Sequence, residues 1–453
     1  MTKTLTRILI AALATSSAAL ASSHEAGEAV GVPGLVGTLT ELEDAKASLG
    51  AAGDGQFQAG LDDVPESGGA RSVGAQLAED DAVKETVFRF DSIQRGLAPY
   101  FDWKRGLEDE HNLALGMDYT GLYYGASGDL GGEDSAGSGN FRLFGTWTPL
   151  KSESGNTGSV VFKVEDRHAY GDVPVSGLGF ETGTVGLLGP PFNDSGFLVS
   201  NLFWMHKLND GRTTILAGVI DVTDYLDVYG LINPWTHFSN LVFSTGGASI
   251  PAPNQGLGAA FGNFFSDNAY FTLSLADTNG DPTDLGDSFD SFFSDNEYFT
   301  SAELGWVSSF EERYLNNTHV VVWHADEREE AGVPDGWGVN FSWAHFYGSS
   351  WLPFLRAGYA DDGGALLETS VTGGVGHYMS GRGDLLGLGL NWGEPSEDFG
   401  ADLDEQVTAE LFYRLQLSQN FAVTPDVQYV MDPALNPSED SIWYFGLRAR
   451  LSL

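Results

Sequence analysis

The sequence WYFGLRARLSL, at residues 443–453, alternates strictly between two kinds of side chain. Its apolar set occupies the odd positions: Trp443, Phe445, Leu447, Ala449, Leu451 and Leu453. Its even positions carry Tyr444, Arg448, Arg450 and Ser452. Because successive side chains of a β-strand point to opposite faces, this stretch predicts a strand with one apolar face and one charged face.

The same rhythm recurs earlier in the chain, for example in residues 141–148, 159–167 and 410–417. A soluble β-sandwich also alternates, so the period alone does not decide the fold. Charges in mid-strand, opposite an apolar face about 9–11 residues long, are typical of strands that span a membrane. Such strands must close into a barrel, because lipid cannot satisfy the backbone groups of an open edge.

Sixteen segments carry this pattern, an even number as expected for a single-chain bacterial barrel. They lie near 112–123, 139–149, 159–169, 197–208, 212–221, 257–266, 268–277, 298–310, 317–325, 336–346, 350–360, 367–377, 384–393, 404–418, 420–431 and 442–453. The 59 glycines and the 12% of aromatic residues also suit short strands and tight turns. We therefore predict an all-β fold, a transmembrane antiparallel β-barrel of about sixteen strands of the outer-membrane porin type. A barrel of that width is expected to enclose water.

The N-terminus predicts export. Lys3 and Arg7 precede an apolar run at 8–14, and the small-residue sequence ALA at 19–21 ends just before Ser22. This order is typical of a cleavable signal peptide at 1–21, and the apolar run is too short for the alternative, a membrane anchor helix. We expect residues 22–85 to form a mobile periplasmic segment and residues 86–453 to form the barrel. Capping-box spacing between Thr40 and Glu43 suggests a short helix in the first of these, either in the periplasm or as a plug at the barrel entrance.

The composition of the chain limits the binding partners that it is expected to have. The formal net charge of −41 disfavours nucleic acid and anionic surfaces, and most of it is expected to lie on solvated loops. The chain has no cysteine, which suits passage through an oxidising periplasm and removes the usual zinc signatures. We expect neither a cofactor nor a bound metal.

Several motifs resemble the carbohydrate-selective porins of the OprB family. In chain order they are AGVIDVTDYLD at 217–227, NPW at 233–235, FSN at 238–240, LPFLRAGY at 352–359, GRGDLLGLGLNWG at 381–393, ELFY at 410–413, VTPDVQYV at 423–430 and GLR at 446–448. The resemblance implies a sixteen-stranded channel in the bacterial outer membrane, with a charged and aromatic constriction that passes glucose and other small sugars. It implies small sugars and outer-membrane lipid as partners, and either a homotrimer or a monomer.

Alternation places a set of charged side chains on the inner face as candidate sugar contacts. They are Arg142, Lys163, Glu165, Arg167, Asp221, Asp224, Asp227 and Arg356. A mixed-charge belt suits neutral polyhydroxy solutes, although each residue taken singly could equally just solvate a wide lumen. Trp204 and His206 would add a stacking surface if they faced inward.

Other functions find less support in the sequence. The stretch DTNGD at 277–281 resembles the opening of a calcium loop, but Pro282 stands where such a loop needs glycine, which favours a turn-rich loop. The alternatives that stay open are a general or anion-selective porin, a barrel enzyme with Ser–His or Asp–His chemistry at its rim, and a structural or adhesive barrel. No catalytic motif supports the enzyme, so we expect a channel.

Overall fold

The computed structural model describes residues 69–379, 383–399 and 403–453. The expected signal peptide and the expected helix near Thr40 lie outside these residues. In the described part of the chain, sixteen antiparallel strands form one closed barrel, in which β1 (Leu113–Ala126) pairs with β16 (Ser441–Ser452). The prediction of a sixteen-stranded antiparallel barrel is confirmed.

The remaining strands follow in chain order around the barrel. They are β2 (Ser135–Lys151), β3 (Thr157–Ala169), β4 (Gly196–Leu208), β5 (Thr213–Ile220), β6 (Gly256–Phe264), β7 (Ala269–Asp277), β8 (Tyr298–Val307), β9 (Asn317–Ala325), β10 (Gly336–Ala344), β11 (Trp351–Asp362), β12 (Leu367–Tyr378), β13 (Leu385–Pro395), β14 (Gln406–Ser418) and β15 (Phe421–Met431). Each overlaps one predicted segment, because a strand with lipid on one face carries its period along its whole length.

The outer face of the barrel is apolar. In β16, the side chains of Phe445 and Leu447 are more than half exposed, whereas Arg448 and Arg450 point inward and are buried. Aromatic residues cluster on the outer face, and the ring of Trp443 lies 4.4 Å from that of Tyr429. This surface is what contact with lipid requires.

Four α-helices accompany the strands in the described residues: α1 (Val73–Asp81), α2 (Asp91–His111), α3 (Leu178–Thr182) and α4 (Leu285–Ser294). None of them is both long and apolar enough to cross a membrane.

Helix α1 lies at the end of the segment 22–85. Val73 and Leu77 are buried against the inward-facing Phe144 and Val161, so α1 lies inside the barrel. Its polar residues find charged partners on the wall, which compensates for its few apolar side chains. The first strand begins at Leu113, as the segment near 112–123 predicts, and α2 occupies the chain between the expected domain boundary at residue 86 and this strand.

Two long loops also fold into the barrel: residues 170–195, between β3 and β4, and residues 221–255, which we call the lumen loop. Nearly all of the lumen loop is buried. Its Tyr229, Phe238 and Phe243 pack against Phe354 and Phe412 of the wall. The lumen is therefore largely filled by protein in the described residues, in contrast to the water-filled interior expected from barrel width.

Candidate permeation site in the barrel lumen

All eight candidate residues point into the barrel and are buried: Arg142, Lys163, Glu165, Arg167, Asp221, Asp224, Asp227 and Arg356. Burial rather than solvation distinguishes them from the side chains of an open, wide lumen. The structure brings them together in two places. Six lie on the side of α1 and β2–β5, whereas Asp227 and Arg356 meet on the opposite wall.

Arg142 belongs to a cluster that spans the seam where β16, β1 and β2 meet. We define the seam cluster as Asp80, Asp118, Arg142 and Arg450. Arg142 makes a two-pronged ion pair with Asp118, and Arg450 Nε also donates to Asp118 (2.8 Å). Both terminal nitrogens of Arg450 donate hydrogen bonds to the carboxylate of Asp80 in α1 (2.8 and 2.7 Å). Sequence reasoning missed Asp80 and Asp118, because neither stands in a recognisable motif.

The seam cluster holds α1 by charge. Burial alone would raise the pKa of Asp80, but the ion pair and hydrogen bonds from Arg450 outweigh it and lower that pKa to about 2. Arg142 also donates to Gln76 Oε1 of α1 (2.6 Å). Its guanidinium lies 3.8 Å from the ring centroid of Trp235, in cation–π geometry.

A second group of charges surrounds the start of the lumen loop. Lys163 Nζ lies 3.4 Å from Asp224 Oδ2, to which Asn201 Nδ2 also donates (3.0 Å). Arg71 lies 3.9 Å from Asp221. Burial raises the pKa of Asp224 to about 6, since the attraction of Lys163 only partly compensates and Asp221 adds repulsion.

Glu165 and Arg167 form a third small group on β3. Arg167 Nε donates to Glu165 Oε2 (2.9 Å), and Asn140 Nδ2 donates to the same oxygen (2.9 Å). Both charged side chains are at most 7% exposed, so the pair contributes to the lumen wall without a free charge. This group lies beside the loop 170–195, where Asn140 also contacts the carbonyl of Pro191.

Asp227 and Arg356 hold the lumen loop to the opposite wall. Arg356 pairs with Asp227, which also contacts His319 Nε2 (2.8 Å) and accepts the backbone N–H of Gly246. Gly246 has a φ of 67°, in the left-handed region that favours glycine. Arg356 is therefore a loop anchor in this structure.

Glu410 on β14 is a further loop anchor that sequence reasoning missed. Its carboxylate accepts the backbone N–H groups of Ser239 (2.6 Å) and Asn240 (2.9 Å). The motif ELFY at 410–413 contained it, and its inward position follows from alternation. Its role could not be inferred, because the partner is loop backbone.

A cavity lies between α1, strands β3–β7 and the first turn of the lumen loop. Its empty volume is about 600 Å³, including its opening to solvent. Phe203, Met205 and Tyr225 line it together with Asn201 and Asp224. The buried oxygens Asn201 Oδ1 and Asp224 Oδ1 have no hydrogen-bond partner in the protein. Unsatisfied buried acceptors of this kind favour a ligand or water that donates to them.

The stacking surface considered for Trp204 and His206 does not form. Trp204 is 38% exposed on the outer face, and His206 shares its side of β4, whereas Met205 between them is buried and faces the lumen. The buried tryptophans of the lumen are instead Trp235 of the lumen loop and Trp323 of β9. An irregularity in the pairing of β3 with β4, near Val164, makes the facing of this strand hard to read from sequence.

The calcium-like stretch forms a series of turns before α4. Asp277 accepts the N–H of Asn279, Asp281 that of Thr283, and Asp284 that of Gly286. Within the described ranges, no group of three or more His, Asp or Glu side chains has metal-binding geometry.

Comparison with known proteins supports the barrel and its resemblance. Residues 342–453 match the family described as carbohydrate-selective porin, OprB family. The high-pH structure of Pseudomonas putida OprB matches with a TM-score of 0.63 at 13% identity, covering 78% of this chain and 97% of that one. No curated protein matches the sequence.

Two further structures match less closely. The low-pH structure of Pseudomonas putida OprB has a TM-score of 0.46 at 11% identity, covering 78% of this chain and 96% of that one. A triple mutant of the Rhodopseudomonas blastica porin has a TM-score of 0.47 at 13% identity, covering 75% and 100%. The matched residues 342–453 contain five of the motifs that carried the resemblance to OprB porins. That resemblance is therefore confirmed: the chain is a sixteen-stranded porin-type barrel whose residues 342–453 match the carbohydrate-selective OprB family.

Proposed function

We propose that this protein is an outer-membrane porin through which small, glucose-like sugars diffuse passively. One observation carries the proposal: the lumen cavity beside α1 combines apolar walls with buried, unpartnered acceptors at Asn201 and Asp224. A pyranose has apolar ring faces and hydroxyl donors at its edge, so both parts of the lining have a counterpart on the sugar. The match of residues 342–453 to carbohydrate-selective porins points to the same substrate class.

The contacts suit transit rather than retention. A sugar hydroxyl donates to Asp224 Oδ1 or Asn201 Oδ1, while a ring face rests against Phe203 or Tyr225. Each contact replaces one with water and is individually weak, so the solute can leave again. The flanking Lys163 already pairs with Asp224, which leaves a site of mixed charge that holds no simple ion strongly.

In this proposal the other candidate residues serve the same passage. Arg142, Glu165, Arg167 and Asp221 form the charged wall beside α1 and set the width of the constriction. Asp227 and Arg356 hold the lumen loop, which forms its opposite side. The outward apolar surface supports a place in the bacterial outer membrane, where strands of this kind are found.

Conductance of the purified protein in planar bilayers tests the proposal. We expect glucose to reduce the ion current, and liposome swelling to be faster with glucose than with a disaccharide. The variant Asn201→Ala should raise the half-blocking glucose concentration several-fold, because one acceptor is lost. Asn193→Ala, in the loop 170–195 outside the cavity, is the matched control and should leave the block unchanged.

A different result would favour another function. If millimolar sugar leaves the current unchanged and anions permeate best, the protein is a general or anion-selective porin and the sugar proposal is wrong. If glucose blocks the current equally in the wild type and Asn201→Ala, sugars pass elsewhere in the lumen.

A further inference from the structure

Helix α4 presents three distinct faces. It lies between β7 and β8, at the barrel end opposite Leu453, where the longer loops are found. At about 100° per residue, Ser288 and Ser291, the phenylalanines and the aspartates fall on three separate sides, and the last residue, Ser294, lies on the aspartate side. The phenylalanines are Phe289, Phe292 and Phe293, and the aspartates are Asp287 and Asp290.

The serine face packs on the outside of the barrel. Ser291 Oγ donates to Asp277 Oδ2 (2.5 Å), and Ser288 Oγ bonds to the backbone of Asp281 (2.8 Å). Asp277 alternates with the exposed Leu273 and stands directly opposite Tyr298, so its side chain points outward. It is nevertheless only 1% exposed, because α4 covers it.

The phenylalanine face continues the lipid-facing surface of the wall. Phe292 lies 5.1 Å from the ring of Tyr298, whose hydroxyl donates to the carbonyl of Phe292 (2.8 Å). Tyr298 points outward, since its neighbour Phe299 is fully buried in the lumen. The exposed Leu304 and Trp306 lie further along the same face of β8.

The exposure of this face reverses the usual order of a surface helix. Phe289 is 51% exposed and Phe293 is 70% exposed, whereas both serines are buried. A helix on the surface of a water-soluble protein buries its apolar stripe and exposes its polar residues. The exposed aspartates Asp287 and Asp290 occupy the remaining side, which a helix at a membrane surface would turn to water.

We propose that α4 is an interfacial helix that inserts its phenylalanine face among the acyl chains of the leaflet at this end of the barrel. The serine face attaches the helix to β7, and the aspartate face stays in the headgroup region. Longer loops mark the extracellular end of such barrels, so the leaflet concerned is the outer one. The apolar surface of the barrel thereby extends beyond the ends of β7 and β8.

Site-directed spin labelling tests this placement without a background signal, because the natural chain contains no cysteine. The full chain carrying Phe289→Cys is labelled with a nitroxide and reconstituted in phosphatidylcholine liposomes. Relaxation by oxygen, which concentrates in lipid, is compared with relaxation by a water-soluble nickel chelate. The matched control is Asp287→Cys, two residues away and roughly 160° around the helix.

We expect the ratio of oxygen to nickel accessibility to be several-fold higher at position 289 than at 287, with position 293 resembling 289. Equal ratios, or ready access of the nickel chelate to position 289, would overturn the proposal. Spin–spin broadening at 289 that disappears on dilution with unlabelled protein would identify a second copy as the occupant, and would overturn it as well. Heat-modifiable migration on gels confirms that each variant has folded.

Discussion

The two halves of the lumen are filled by different physical means. The lumen loop packs through an apolar core in which Phe238 lies 4.7 Å from Phe243 and 4.9 Å from Phe412. Helix α1, on the other side, is held mainly by ion pairs from Arg450 and Arg414 and by Arg142, which binds Gln76. Water cannot replace the contacts that apolar side chains lose when they are exposed, whereas water and dissolved ions can solvate a charged side chain that loses its partner.

This difference indicates which element can move. Displacing the lumen loop would expose a continuous apolar core, so we expect the loop to be a permanent part of the barrel. Displacing α1 would expose few apolar side chains and a set of charges that water can solvate. The path for a solute is therefore expected to widen on the side of α1.

The largest effect is expected from breaking the apolar half. Phe238→Ala removes a ring that is only 3% exposed, and truncations of this kind cost about 3–5 kcal/mol. We expect a loosened lumen loop, seen as higher and noisier single-channel conductance and as faster proteolysis between residues 221 and 255. Phe445→Ala, on the lipid face, is the control and should change neither. Unchanged conductance and proteolysis in Phe238→Ala would contradict an apolar anchor.

A somewhat smaller effect is expected from the charged half. Arg450→Ala leaves Asp80 and Asp118 buried with fewer positive partners, a change that costs roughly 3 kcal/mol. We expect α1 to leave its site, so that a label on Ala75→Cys becomes accessible to water-soluble reagents and the conductance rises.

The second variant Arg450→Ala/Asp80→Asn separates charge from shape. Because it removes the charge of Asp80, to which Arg450→Ala leaves only Lys84 at 3.9 Å as an ion-pair partner, it should recover part of the stability lost in Arg450→Ala. If the double variant is no more stable than the single one, the ion pair does not hold α1.

The smallest effect is expected from pH. The pKa of Asp224 is raised to about 6, so the folded protein binds this proton more tightly than the unfolded chain does. The stability that this group contributes is therefore greatest at low pH and falls as the pH rises from about 4 through 6.

Ion selectivity should follow the same titration. Above about pH 6 the Asp224 carboxylate is charged, so we expect the reversal potential in a KCl gradient to shift towards cation preference with a midpoint near 6. Asp224→Asn should abolish the shift. Asp221→Asn should move the midpoint to lower pH, because Asp221 helps to raise the pKa of Asp224. A midpoint that is the same in all three proteins would assign the titration to another group.

The barrel could be predicted from the sequence because the two faces of each strand meet different surroundings. Lipid outside and polar groups inside impose a two-residue period on every strand, from residues 141–148 to 443–453. The same period placed Arg142, Lys163 and Arg356 on the inner face, where the structure has them.

The contents of the lumen could not be predicted in this way. The apolar residues of the lumen loop show no regular period, because the loop packs against several strands at once. The sequence around Phe238 and Phe243 therefore does not indicate which way their side chains point. Helix α1 has few apolar residues, and Asp80 and Gln76 find their partners about 370 and 66 residues away along the chain. Such partners are not visible to reasoning from local pattern.

The position of the seam cluster also bears on the order of assembly. In a barrel made from one chain, the pairing of the first strand, β1, with the last strand, β16, closes the barrel. Arg450 of β16 donates a hydrogen bond to Asp118 of β1 across that junction. The same arginine is the main partner of Asp80 in α1. The docking site of the helix is thus complete only when the first and last strands have met. Barrel closure and helix docking are therefore coupled, because the ion pairs that hold α1 are complete only in the closed barrel.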